Sequence, residues 1–123
     1  MTAMIAALRA DTALMAILED RTDVREEQTG AQRIPALTYL IVDNDEMENT
    51  EGMLTRWGAW GATRAEAVEI ERRLRAVLVA DVPIMVEGVA IWSELQAARD
   101  VPDDDPASFH RSIDLVHEFA REE

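Results

Sequence analysis

The sequence predicts an α+β fold, an antiparallel or mixed β-sheet with an N-terminal helix and a central amphipathic helix packed on one face. Three observations carry this. Between Met53 and Val79, a strand ending at Gly61 hands over to a helix: Thr63 stands as N-cap, and Glu66, three residues on, completes the capping-box spacing. In that helix Ala67, Ile70, Leu74, Val77 and Leu78 form one stripe of 3.6-residue period, which needs a sheet to cover. The order of elements is helix, strand, strand, helix, strand or strands, strand. That order lacks the regular βα alternation of a parallel sheet and favours helices gathered on one side.

Taken from the start, Thr2 to Leu18 reads as helical. Met4, Ile5, Leu8, Met15 and Leu18 share a broad face, and Asp11-Thr12 offers a point to bend or restart. Glu19 to Arg33 is polar and reads as a long loop, with Thr22-Asp23-Val24 as a short extended piece. Pro35 precedes the β-rich run Ala36 to Val42, a mostly buried strand. Asp43 to Glu51 is an acidic turn. In the strand Met53 to Trp60, Thr55, Trp57 and Ala59 share one face. Leu54, Arg56 and Trp60 share the other, where Gly58 marks a bulge if the register changes. Both faces are partly apolar, as in a sheet covered on one side and touching something on the other.

After the central helix, Asp81-Val82-Pro83 breaks the pattern. Ile84 to Val86 and Val89 to Gln96, which contains Trp92, read as strand around a turn or bulge at Glu87-Gly88. Arg99 to Pro106 reads as an acidic link. Phe109, Ile113, Leu115 and Phe119 alternate along Ser108 to Phe119, which reads as an edge or near-edge strand; a helix stays open there.

The totals bound the function. A chain of 123 residues fits one domain spanning 1–123. No apolar run reaches the roughly 18 residues of a membrane helix, and Arg9 and Asp11 interrupt the start as a signal sequence. Cysteine is absent, which excludes disulfides and thiolate chemistry. Twenty-five carboxylates face twelve cations, a formal charge of −13 that repels nucleic-acid phosphates and anionic membranes. All twelve cations are arginine, which pairs bidentately at interfaces, although a GC-rich genome gives the same bias. The acidity also suits a high-salt habitat.

Catalytic chemistry finds no constellation. His110 and His117 are the two histidines, and Ser93, Ser108 and Ser112 lie in no nucleophile elbow; Ser108 and His110 stand close in sequence but read as a strand with one surface histidine, not as a triad. Asp43, Asp45, Glu46, Glu48 and Glu51 carry oxygen ligands of the kind calcium takes, but lack EF-hand spacing, as do Asp103, Asp104 and Asp105. Both read as solvated acidic loops, so no metal or other cofactor is expected. Arg72, Arg73 and Arg75 read as a salt-bridged helix surface or an interface cluster. Trp57, Trp60 and Trp92 divide between core and subunit contact.

The pattern from Trp57 and Trp60 through Thr63 to Glu66-Ala67 resembles the tail-terminator or tail-completion family of long-tailed phages and related gene-transfer particles. The likeness extends over about residues 5–119. It takes in Asp11-Thr12-Ala13-Leu14, Pro35 before the first long strand, Ala90 to Arg99 followed by the acidic Asp100 to Asp105, and Phe109-His110-Arg111 opening the last strand. The acidic Asp43 to Glu51 and the lack of lysine depart from the usual pattern. The resemblance implies a non-enzymatic subunit of a ring, usually a hexamer, in the virion tail or neck and assembled in the host cytoplasm. The ring would cap the tail tube and dock the head connector, with the tail tube protein and a head-completion or neck protein as partners. DNA would pass through the lumen without sequence-specific binding, and no membrane would be involved. Contact residues expected on this basis are Arg56, Trp57, Trp60, Arg72, Arg73 and Arg75, with the loops Arg25 to Gln32, Asp43 to Glu51 and Asp103 to Asp105 facing tube or connector. A head-completion or neck protein, and an acidic adaptor or nucleic-acid-mimicking inhibitor, remain as other readings.

Overall fold

The computed structural model describes residues 2–18, 23–26, 34–45, 52–102 and 108–121. Within them the chain runs α1 (Thr2–Arg9), α2 (Thr12–Leu18), β1 (Val24–Glu26), β2 (Ala36–Asp45), β3 (Gly52–Gly61), α3 (Arg64–Leu78), β4 (Ile84–Val86), β5 (Val89–Val101) and β6 (Phe109–Arg121). The strands form a six-stranded mixed sheet in the order β1-β2-β3-β6-β5-β4. Only the β1–β2 pair is parallel. The fold is α+β, as the sequence predicts.

The N-terminal helix is two helices. Asp11 separates them: its Oδ2 accepts from the Leu14 amide at 3.0 Å, capping α2, and its carboxylate also receives Arg73 from α3 at 2.8 and 3.1 Å. The Arg73 hydrogen bonds hold the Asp11 carboxyl below the usual carboxylate range. One acid thus caps a helix and ties it to the next layer. The central helix begins as its sequence predicts: Thr63 Oγ1 accepts from the Glu66 amide at 3.1 Å, and Glu66 reaches back to the Ala62 amide at 3.0 Å.

α3 lies on one face of the sheet with α1 and α2 beside it. Ile70, Leu74 and Leu78 from α3, Met4 and Leu8 from α1, and Leu14 and Leu18 from α2 meet Trp57, Ala59, Ile113 and Leu115 from the central strands in one buried cluster. Strand alternation explains the choice of β-residues, since Thr55, Trp57 and Ala59 sit opposite Leu115, Ile113 and Arg111 and all point toward the helices. At the margin of this core the Arg111 guanidinium joins Glu71 of α3 at 2.6 Å to Asp100 of β5 at 2.7 Å, fixing the helix over the strands. The edge strands β1 and β4 are three residues each, too short to template pairing with another chain. Among the described residues no helix is long and apolar enough to cross a membrane.

Several expectations are corrected. β6 is not at an edge: it lies between β3 and β5, paired along its length on both sides. Its polar alternation reflects a sheet face that none of the described helices covers, and an edge strand gives the same pattern. The segment is strand throughout, which removes the helical alternative. β5 continues to Val101, so Arg99 and Asp100 belong to strand and not to the acidic link. β2 likewise runs through Asp43 to Asp45. Gly58 marks no bulge, since β3 pairs in register through it; the irregularities fall in β2 between Ile41 and Asp43 and in β5 between Leu95 and Ala97. The short extended piece is Val24–Glu26, slightly later than Thr22-Asp23-Val24. Glu87 (φ 50°) and Gly88 (φ 81°) make a tight two-residue hairpin turn between β4 and β5.

Candidate assembly face

The face of the sheet turned away from the helices carries Leu54, Arg56 and Trp60 from β3 and His110, Ser112, Asp114, Val116 and Glu118 from β6. From β5 it carries Trp92 and Glu94 and, beyond the bulge, Ala97 and Arg99. A face of this composition is neither a second core nor a fully solvated surface.

Its centre is ordered by three interactions. The Trp60 indole stacks on the His110 ring, with centroids 3.6 Å apart and planes 13° from parallel, and its Nε1 donates to Thr38 Oγ1 at 3.1 Å. The stack lies flat across Gly58. A Cβ there would fall 2.7 Å from both Thr38 Oγ1 and Trp60 Nε1 and 2.9 Å from His110 Nε2, so glycine is required by close approach. Beside the stack, Arg56 grips Asp114 with Nε–Oδ1 at 2.9 Å and Nη2–Oδ2 at 3.3 Å, a bidentate cross-strand pair. Substituting Gly58→Ala should lift Trp60 off the sheet. The expected result is a loss of about 1–3 kcal/mol in urea unfolding, with a red-shifted tryptophan emission.

The other residues named from sequence are placed differently. Trp57 is fully buried under α3, tilted against Tyr39 at 5.7 Å, and presents nothing to a partner in the folded protomer. The three helix arginines are engaged within the chain: Arg72 with Glu69 at 2.6 Å, Arg73 with Asp11 at 2.8 Å, and Arg75 with Glu71 at 3.6 Å. This is the salt-bridged surface reading, with Arg73 acting as a tie between layers. Asp43 and Asp45 sit in the β2 backbone; their side chains, with Glu46, Asp103, Asp104 and Asp105 and the loop from residue 27 to 32, lie outside the described residues. The described residues that flank them in sequence lie at opposite ends of the sheet, where Asp45 pairs with Gly52 at one end and Val101 with His110 at the other.

The second histidine of this strand, His117, lies inside the protein. It is buried on the helix side, with Nε2 at 2.6 Å from Thr55 Oγ1 and Nδ1 at 2.6 Å from Ser93 Oγ, while Trp57 Nε1 donates to Thr55 at 2.8 Å. Burial pushes its pKa down to about 4. Nδ1 faces the Ser93 hydroxyl, but among the described residues the other ring nitrogen, where a catalytic set would hold its acid, meets the Thr55 hydroxyl instead. The arrangement satisfies buried polar groups. Among the described residues no cluster of histidine and carboxylate side chains is arranged to hold a metal ion.

At the far end of this face Trp92, weighed from sequence as core or contact, joins Glu94, Val116 and Glu118, which sequence reasoning missed, around a pocket of about 470 Å³. Trp92 is 43% exposed. Its signal was the alternation of Trp92 and Glu94 on one parity of β5.

No protein-family model matches the chain, and no curated protein matches it. Among solved structures it is similar to a chain in the virion of a native gene transfer agent (GTA) particle. The TM-score is 0.69 at 16% identity, covering 96% of this chain and 92% of that one. At this identity the likeness establishes a shared fold, extending over nearly the whole of both chains.

Proposed function

We propose that the protein is a structural component of a phage-like or gene-transfer virion, a subunit that closes into a ring, terminates the tail tube and meets the head–neck connector. The observation that carries this reading is the shared fold with a chain of a gene transfer agent virion over almost the full length of both. The surface supports it. One sheet face is left without a helix, yet holds an ordered aromatic stack and a fixed ion pair. Ring closure needs two different patches on each subunit, and a protomer with a helical side and an open sheet side offers them. In sequence, acidic residues follow Asp45 and Val101, two strand positions at opposite ends of the sheet. Turned to the lumen, they would keep DNA from sticking as it passes, by the phosphate repulsion that a −13 chain exerts. The role is contact, without catalysis. A neck or head-completion subunit of the same kind of particle draws on the same likeness and is separated by which partner the ring binds.

Light scattering coupled to size exclusion should find a ring-sized oligomer, or a monomer that shifts to one when purified tail tubes are added. A monomer that ignores tail tubes but binds a nucleic-acid-processing enzyme would overturn this reading in favour of an acidic mimic. A ring with a neutral or basic lumen would remove the proposed role of the acidic segments.

A further inference from the structure

The open sheet face holds an arginine with no partner among the described residues and, at its other end, a pocket beside Trp92. Among the described residues, Arg99 forms no ion pair or side-chain hydrogen bond, whereas each other arginine with a described side chain is engaged by a carboxylate or a carbonyl. In a chain with twice as many acids as bases, an unpaired cation is unusual. The carboxylate nearest in register, Asp114 opposite Ala97, is already held by Arg56. The pocket at the other end of β5 has the complementary chemistry. Trp92 offers an exposed indole face, and Glu94 and Glu118 flank it with no ion pair among the described residues. An indole face between two carboxylates is a site for a guanidinium, through cation–π contact and charge-assisted hydrogen bonds.

The two features share a face because of the β5 bulge. Trp92 pairs with Glu118 and Glu94 with Val116, and after the register shift between Leu95 and Ala97, Arg99 pairs with Ser112; residues 112, 116 and 118 of β6 all point the same way. Without the shift Arg99 would point toward α3. Along the strand Arg99 stands roughly 20 Å from Trp92, farther than an arginine side chain extends, so they cannot meet within one molecule.

We propose that Arg99 of one copy docks into the Trp92–Glu94–Glu118 pocket of the next. The occupant is a second copy of this chain, and the contact joins two different patches, the head-to-tail geometry that closes rings. It rests on the ring reading above and adds the residues that make the joint.

The test is a charge swap read by light scattering. Wild-type protein should assemble, while Arg99→Glu, and separately Glu94→Arg with Glu118→Arg, should each weaken self-association at least tenfold with thermal melting of the protomer unchanged. An equimolar mixture of the two variants should assemble again, since each supplies the half of the contact that the other reverses. If Arg99→Glu assembles as wild type does, or if both variants fail alone and the mixture stays unassembled, the contact is wrong and the ring reading stands. A wild-type protein that remains a monomer yet caps tail tubes would likewise overturn this contact and leave the proposed function. A monomer that leaves tubes bare would remove both.

Discussion

Trp57→Ala is expected to destabilise the protomer by about 3–5 kcal/mol, the range for emptying a large aromatic site in a core. Trp57 is among the largest fully buried side chains, and it is surrounded by apolar residues from β3, β6 and the helices. The removed indole leaves a cavity that strands paired on both sides of β3 cannot collapse to fill. Its loss also removes the donor to Thr55 Oγ1, at the head of the Thr55–His117–Ser93 series. Urea unfolding measures the effect, and Trp57→Phe should recover most of it by restoring apolar volume. This separates the two roles open for this residue from sequence. A core tryptophan costs protomer stability when truncated. A variant that unfolds at the wild-type urea concentration but fails to assemble would contradict the burial account.

His117 gives the second large effect, a loss of stability on mild acidification. Its pKa in the folded protein, pushed down to about 4 by burial, lies below the ordinary 6.5 of an unfolded chain. The unfolded state therefore binds more protons between these values. Stability is complete above about pH 6.5, falls as pH drops toward 4, and levels off below, for a total of about 3 kcal/mol from this group. The geometry supplies the reason: both ring nitrogens already face hydroxyls, and protonation would put a charge in a fully buried site opposite Met53. Two of the lowered carboxyl groups, Asp11 by its Arg73 hydrogen bonds and Asp100 by that from Arg111, begin to lose their pairing only below their ordinary value of 3.8, outside this window. The third, Glu69, lowered by its Arg72 hydrogen bonds, begins at its ordinary 4.5, is exposed, and is common to wild type and variant. Unfolding measured at pH 7 and pH 4.5 in wild type and His117→Gln should show the pH-dependent loss greatly reduced in the variant. Equal losses in both would place the sensitivity elsewhere.

The helix over Arg64–Leu78 was legible because its signals are local: a cap, a reciprocal acid and a 3.6-residue stripe all lie within one segment. The class of fold followed from the order of elements. Long-range pairing was not legible. β6 resembles an edge strand because Ser112, Asp114 and Glu118 alternate with its apolar residues, and only the sheet order shows that these polar residues face an open side between two neighbours. Bulges hid the rest. The shift between Leu95 and Ala97 exchanges the faces of all that follows, turning Asp100 toward Arg111 and Arg99 toward the open side, and no composition or turn residue at Gln96 announces it. His117 shows a third limit. Its place in the alternation was visible, but burial depends on the Thr55 and Ser93 hydroxyls brought from two other strands. Among the contact residues expected from sequence, Arg56 and Trp60 lie on the open face, whereas Trp57 is core and Arg73 binds Asp11 across the helices.

On the proposed reading, the subunit would work through the side of its sheet that its described helices leave bare. Images of negatively stained tail tubes incubated with the purified protein test that most directly. The expected result is a closed ring seated on one end of each tube, absent when Arg99→Glu replaces the wild type. Tubes with bare ends, beside protein that remains monomeric at every concentration, would contradict it.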